Sequence, residues 1–321
     1  MSLEHSTTSD GKRFRYRLCW IIVVALVVLV GWLLLPATGE PTWQGKTLRQ
    51  WMRGHPKDYW PAVQAMGTNA IPFLLSELQH KDSALASMGQ EAFRRFLDSS
   101  PPWETAQTRR YHARLALQIL DTNAVPALLD ALFREPFRLQ EGHITCEAAY
   151  AFGWLASPAA REQVRHYLGK GLEDPDIQKR RNACMAFYAG FRGGDSETHK
   201  LVELTRDPEP LVRAAATRGL IMWQTNEVEV VPALAARLDD PQAAVRRLAI
   251  EALTGRKTNA IAALVALQAA YRNEHTRASL YDDVDDLFRG NAVLSPQQNQ
   301  WGIFHAIQSI APGTPVPGAK P

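Results

Sequence analysis

Cysteine is scarce in this chain: Cys19, Cys146 and Cys184 are the only three in 321 residues. Cys19 opens a hydrophobic run near the N-terminus, which leaves two thiols for the rest of the chain. Two cysteines exclude a disulfide-built scaffold, although one bridge stays open in an oxidising compartment. Two small buried apolar side chains are the simpler reading. A strong charge of one sign is also missing. The net charge is +3, and residues 1–17 hold Lys12, Arg13, Arg15 and Arg17 against Glu4 and Asp10. The remainder is close to neutral and lacks interleaved basic and aromatic residues, so no nucleic-acid partner is expected. Catalytic motifs are absent as well: no nucleophile elbow, no His-Glu-x-x-His and no Cys-x-x-Cys. Convergence of distant residues is then the one route left to an active site. No enzyme activity, cofactor or metal is expected.

One long hydrophobic run is present. Leu18–Leu35 carries no charge and is 18 residues long, about 27 Å of helix, close to a hydrocarbon core. Trp20 and Trp32 lie near its ends, where amphipathic rings favour the interface. Residues 18–36 are therefore expected to form a transmembrane signal-anchor. Cleavage as a signal peptide, at Ala37-Thr38-Gly39, is the alternative, but cleavable apolar cores usually run only about 7–15 residues. The basic residues before the span place 1–17 in the cytoplasm and all that follows outside it.

The rest of the chain repeats. Asp174-Pro175, Asp207-Pro208 and Asp240-Pro241 stand 33 residues apart. Leu168, Leu201 and Leu234 lie six before each Asp, Arg180, Arg213 and Arg246 six after, and Ala183, Ala216 and Ala249 nine after. Self-similarity at this period marks a helical repeat array. Val231, Leu234 and Leu238 recur at helical spacing, predicting a helix over 229–239. Asp-Pro then breaks it, since proline disfavours helix at the preceding residue and suits the first turn of the next helix. In that second helix small residues fall on one face: Ala183 and Ala186, Ala216 and Gly219, Ala249 and Ala252. A repeat is thus a helical hairpin that cannot bury its face alone.

A second signature marks where first helices begin. Thr68-Asn69-Ala70, Thr122-Asn123-Ala124 and Thr258-Asn259-Ala260 are near copies, with Leu74, Leu128 and Leu264 six after each Thr. Thr or Asn is expected to cap the helix. First helices are placed near 68, 122, 157, 195, 226 and 258, giving about six hairpins. The long gap after Thr68 includes a loop at Ser99-Ser100-Pro101-Pro102.

This hairpin, with Asp and Arg in register, resembles the HEAT-like helical repeats over roughly residues 60–290. The resemblance implies an all-α, right-handed α-solenoid, which the transmembrane helix expected from the hydrophobic run would precede. It also implies a ladder in which Asp174, Asp207 and Asp240 pair with Arg180, Arg213 and Arg246. His80 and Arg134 occupy the Asp position in the first two units, which puts their ladder in question. The segment Trp43-Gln44-Gly45-Lys46-Thr47-Leu48 before Trp51 is similar to the lead-in of bacterial HEAT-like proteins of the anchored or secreted type. With the ladder arginines set aside, Lys179, Arg181, Arg218 and Arg247 are the candidate partner contacts, against a competing reading as ordinary solubilising charges.

Three other clusters carry less. Gly45-Lys46-Thr47 lacks the earlier glycine and preceding strand of a phosphate-binding loop. Glu141, His143, Cys146 and Glu147 share about one helical turn without a complete metal-ligand set. Asp282, Asp283, Asp285 and Asp286 lack calcium-loop spacing and read as a solvated face.

The expected organisation is a basic segment (1–17), an anchor (18–36), a linker and N-terminal cap (37–59), a solenoid (60–310) and a disordered tail (311–321). Trp51, Trp60 and Met66 are expected to cover the first repeat, and 297–310 to form a final helix. The expected function is a scaffold for protein or peptide partners, held at a bacterial cytoplasmic membrane and facing the periplasm or exterior. An enzyme or accessory similar to HEAT-like bilin lyases, acting through Cys146 or Cys184, is one alternative; a purely structural envelope role is the other.

Overall fold

A computed structural model describes residues 40–97, 103–192, 194–222, 226–274, 296–316 and 318. The expected anchor at 18–36, the Ser-Pro loop near 100 and the acidic cluster at 282–286 lie outside these residues. Among the described residues, no single helix is long and apolar enough to cross a membrane.

The chain divides into two compact units, Met1–Met66 and Gly67–Pro321. In the first, strands β1 (Thr42–Trp43) and β2 (Lys46–Thr47) form an antiparallel hairpin. Gln44 and Gly45 both take positive φ, as a tight two-residue hairpin turn requires. Gly45-Lys46-Thr47 thus does lie within strand structure, contrary to the sequence reading, but as a turn and edge strand rather than a phosphate loop. Helix α1 (Leu48–Met52) follows with a capping box between Thr47 and Gln50, and α2 (Pro56–Met66) completes the unit. Trp51 stacks on Trp43 at 5.4 Å and donates its indole N–H to the Trp43 carbonyl. Trp60, expected to help cover the first repeat, is half exposed.

The second unit begins with α3 (Ile71–Leu78), α4 (Ala84–Ala92) and α5 (Ala106–Leu120). Then come α6 (Val125–Phe133), α7 (Ile144–Phe152), α8 (Pro158–Leu172), α9 (Ile177–Tyr188) and α10 (Asp195–Leu204). The series ends with α11 (Pro210–Ile221), α12 (Glu227–Arg237), α13 (Ala243–Arg256), α14 (Leu264–Glu274) and α15 (Pro296–Ile310). The helices pair as α3/α5, α6/α7, α8/α9, α10/α11, α12/α13 and α14/α15. First helices pack on first helices from α6 to α14, and second helices on second helices from α5 to α15. The result is a two-layered helical stack consistent with a solenoid. The final helix predicted at 297–310 appears as α15.

Small residues set the spacing of the second layer. At Gly219 a Cβ would sit 3.1 Å from the Cys184 carbonyl and 3.3 Å from Leu201, tighter than packed interiors tolerate without movement. Ala183, Ala186, Ala216, Ala249 and Ala252 fill comparable buried positions.

The Thr-Asn-Ala copies do something other than cap. Each forms a 3₁₀ turn, within Gly67–Ala70, Asp121–Asn123 and Lys257–Ala263. The caps of α3 and α6 are Ala70 and Ala124, which make no side-chain cap bond. The residue before each Thr holds positive φ: Gly67 at 56°, Asp121 at 48° and Lys257 at 50°. That left-handed kink ends one helix and redirects the chain into the next first helix. Glycine takes it freely; Asp and Lys hold it at a cost.

Candidate functional site

The repeats are joined by a chain of arginine and carboxylate groups that runs between hairpins. Arg180 donates from Nε to Asp207 at 3.0 Å, while its Nη1 reaches the carbonyls of Asp174 and Pro175, each at 2.9 Å. Arg213 repeats the pattern, to the Asp240 carboxylate at 2.9 and 3.1 Å and to the carbonyls of Asp207 and Pro208 at 3.0 Å. Arg246 binds the carbonyls of Asp240 and Pro241 but delivers its fork to Glu274, where no Asp-Pro stands. Asn299 of α15 then donates to Glu274 at 2.9 Å. Each Asp also accepts the backbone N–H two residues on, starting the next helix. The arginine therefore serves its own repeat through backbone carbonyls and the following repeat through a carboxylate.

Asp174 is the upstream end of this series. Its carboxylate accepts the Asp176 N–H and faces Lys179 at 3.2 Å. The Asp176 N–H, aided by the Lys179 and Arg180 charges, holds it below the usual carboxylate range.

Before that point the same task is done by different residues. Arg110 of α5 donates to the His80 carbonyl at 2.9 Å and to Glu141 at 3.0 Å, and lies 3.5 Å from Glu147. His80 holds the Asp position, so Arg110 stands where a ladder arginine would, 30 residues on rather than six. The extra length is the segment that contains α4. Arg109 meanwhile makes a two-pronged pair with Glu77 at 2.6 Å. At the next joint Asn182 bridges the α6–α7 loop, donating to the Leu132 and Glu135 carbonyls and accepting from Phe137 N–H.

Glu147 ends up buried, accepting the Gly142 N–H at 2.8 Å with Arg114 3.7 Å away. Burial raises its pKa despite that bond and the two arginines. Burial likewise lowers that of His143, whose ring bonds Thr145. Glu141 and Glu147 are committed to arginine, and no metal-holding group of three such residues occurs among the described residues. The Cys146 and Cys184 thiols are both buried. Burial pushes the Cys184 thiol far above its ordinary range, which makes it a poor nucleophile.

The four candidate contact cations separate. Lys179 is exposed and pairs with Asp174. Arg181 is a correction: it is buried and donates to the Phe137 carbonyl at 2.7 Å, so it holds a loop and presents no charge to a partner. Arg218 lies over the Tyr188 ring at 4.3 Å and donates to its hydroxyl. Arg247 is half-buried and lines an open cleft of about 540 Å³ between α13 and α15.

Aromatic residues on or just after the second helices accompany these cations. Tyr111 of α5 meets Trp154 edge-on, and the Arg114 guanidinium stands over Tyr150 and Trp154. Tyr150 and Tyr188 line a cleft of about 200 Å³ with Cys146. The α13–α15 cleft adds Trp301 and His305, whose ring centroids are 3.9 Å apart. Among the second helices Glu147 and Glu251 are the only carboxylates, whereas α5, α9, α11 and α13 each hold two or more Lys or Arg. Every first helix, by contrast, carries at least one carboxylate. Tyr188 and Trp301 escaped the sequence reading because tyrosine and tryptophan in an amphipathic helix look like core.

The two-layered helical stack is consistent with a comparison against protein-family models. The model for HEAT repeats matches residues 166–254 and 198–294. The match to HEAT repeats spans residues 166–294. The matched HEAT segment begins within α8 and contains the Asp-Pro series; the hairpins before it, including the one interrupted by α4, lie outside the match. No curated protein matches the chain.

Proposed function

We propose that this chain is a HEAT-repeat scaffold that holds a protein or peptide partner on its second-helix layer. The observation that carries the reading is the scarcity of carboxylates on the second helices, where Arg218 and Arg247 stand beside Tyr188 and Trp301. Stacked hairpins offer an extended surface for contact at many points. Aromatic and arginine side chains are the types that supply most binding energy at protein interfaces.

The second part of the reading is location. Residues 18–36 anchor the chain in a bacterial cytoplasmic membrane, and the repeats face the periplasm or exterior. The uncharged length of Leu18–Leu35 and the basic residues before it support this. Anchoring raises the local concentration of the scaffold for partners at the same surface.

In-cell crosslinking through a photoreactive residue at Tyr188, followed by partner identification, tests the scaffold. A specific protein captured there and not from Tyr167 on the first-helix layer is the expected result; equal capture from both layers would count against it. A reporter fused after Pro321 tests location. It should be active only outside the cytoplasm, and cytoplasmic activity would overturn the orientation.

A further inference from the structure

The first unit differs in charge from the repeats that follow it. Residues 40–66 hold Lys46, Arg49, Arg53 and Lys57 against Glu40 and Asp58, a net charge of +2. Residues 1–17 also carry +2, and the uncharged Leu18–Leu35 lies between these two groups, whereas residues 67–321 come to −1. The chain's excess of positive charge therefore sits on the two flanks of its apolar run. Three of its nine tryptophans, Trp43, Trp51 and Trp60, also fall within 40–66.

The fold leaves part of that charge available. Helix α2 buries Tyr59, Ala62, Val63 and Met66 on one face. Its other face presents Lys57 and Trp60, one turn apart, with Gln64 a turn further on, and all three are exposed. Arg53, also exposed, ends α1 just ahead of α2. Among the described residues no hydrogen bond or ion pair involves the side chain of Arg53 or Lys57. Both carboxylates are engaged with backbone instead: Glu40 accepts the Arg49 N–H at 2.8 Å, and Asp58 the His55 N–H at 3.1 Å.

Chain length keeps this surface close to the apolar run. Glu40 follows Leu35 by five residues, at most about 18 Å of extended chain. Tryptophan rings favour the level of the lipid headgroups, and cations next to a membrane span are drawn to anionic lipid.

Resting on the anchoring of residues 18–36, we infer that the Arg53, Lys57 and Trp60 face of the first unit docks on the bilayer surface, with anionic phospholipid as its ligand. Arg53 and Lys57 meet lipid phosphates, and Trp60 enters the layer between headgroups and acyl chains. Lipid is the occupant because the anchor itself holds the phosphates beside this face. Either leaflet serves, so the reporter after Pro321 tests orientation separately.

The test uses the full-length protein in nanodiscs of phosphatidylcholine, alone or mixed with phosphatidylglycerol. A photoreactive residue replaces Gln64, and mass spectrometry identifies its adducts. In mixed discs the adduct should be mainly phosphatidylglycerol and should fall as salt rises. Arg53→Gln and Lys57→Gln should each lower it about fivefold, the effect of one cation beside an anionic surface. Trp60→Ala should lower the adducts of both lipids. Circular dichroism confirms that the variants fold. Protein that enters the discs yet gives no lipid adduct, no preference for phosphatidylglycerol, or no response to Arg53→Gln and Lys57→Gln overturns the docking and leaves the anchor standing. In cells, capture of a protein at 64 in place of lipid overturns it as well. A chain that stays out of the discs sinks the anchor and the docking together.

Discussion

The hairpins from α8 to α15 and those from α3 to α7 solve one problem in two ways. Each must bind an arginine of one repeat to the next repeat without leaving its charge unmatched. In the regular half the fork of Arg213 meets Asp240, and that of Arg246 meets Glu274, with both partners nearly sealed from water. In the earlier half Arg110 meets Glu141 and Glu147 after a detour through α4, and Glu147 keeps a raised pKa. The lesson is that the joint is fixed by geometry at the turn, while the residues that fill it, and the spacing between them, are free to vary.

The sharpest way to break the regular half is Arg246→Ala. It removes the arginine fork that meets Glu274, a carboxylate 1% exposed, and should cost about 3–5 kcal/mol in urea unfolding. Arg110→Ala should cost less, about 1.5–3 kcal/mol. Glu147 retains Arg114 and the Gly142 N–H, and protonates more readily than an ordinary carboxylate. If the two variants cost the same, the contrast between the halves is wrong.

Backbone strain gives a change of opposite sign. Lys257→Gly relieves a side chain at φ 50°, ψ −131° and should stabilise by about 1 kcal/mol in thermal unfolding. Gly67 already holds the equivalent place, which makes the comparison internal.

The pH dependence of stability separates the halves further. Because the Glu147 pKa is raised on folding, the folded protein holds that proton more tightly than the unfolded chain. Stability from this group is greatest below the ordinary carboxylate range and declines as pH climbs through the raised value. Glu147→Gln should flatten that decline in denaturation curves taken across mildly acidic pH. An unchanged slope would show that Glu147 does not set it.

The smallest effect is expected on α4. None of its residues is buried, and Leu85 and Met88 are largely exposed, as is Phe96 just after it. Leu85→Ser should move stability by no more than about 0.5 kcal/mol. A larger loss would mean that α4 supports the α3/α5 hairpin rather than interrupting it.

Much of this frame is legible in the residues alone. A period of 33, Asp-Pro breaks and small residues at fixed offsets are local facts, since one hairpin repeats the same contacts with each neighbour. They locate the first helices and the final helix to within a few residues. The Thr-Asn-Ala copies are visible as a mark but not as 3₁₀ turns, because the kink belongs to the residue before them.

What the sequence could not decide is which side chains are spent and which are left. Lys179, Arg181, Arg218 and Arg247 look alike on paper. Only packing assigns Lys179 to Asp174, Arg181 to a loop carbonyl 44 residues away and Arg218 to Tyr188, leaving Arg247 at the mouth of a cleft. The same holds for Glu274, which takes over the Asp role at a different spacing. Periodicity is a property of neighbours in the chain and can be read there. The partner of a long charged side chain is set by distance in space, and the cleft exists only because α13 and α15 are brought together.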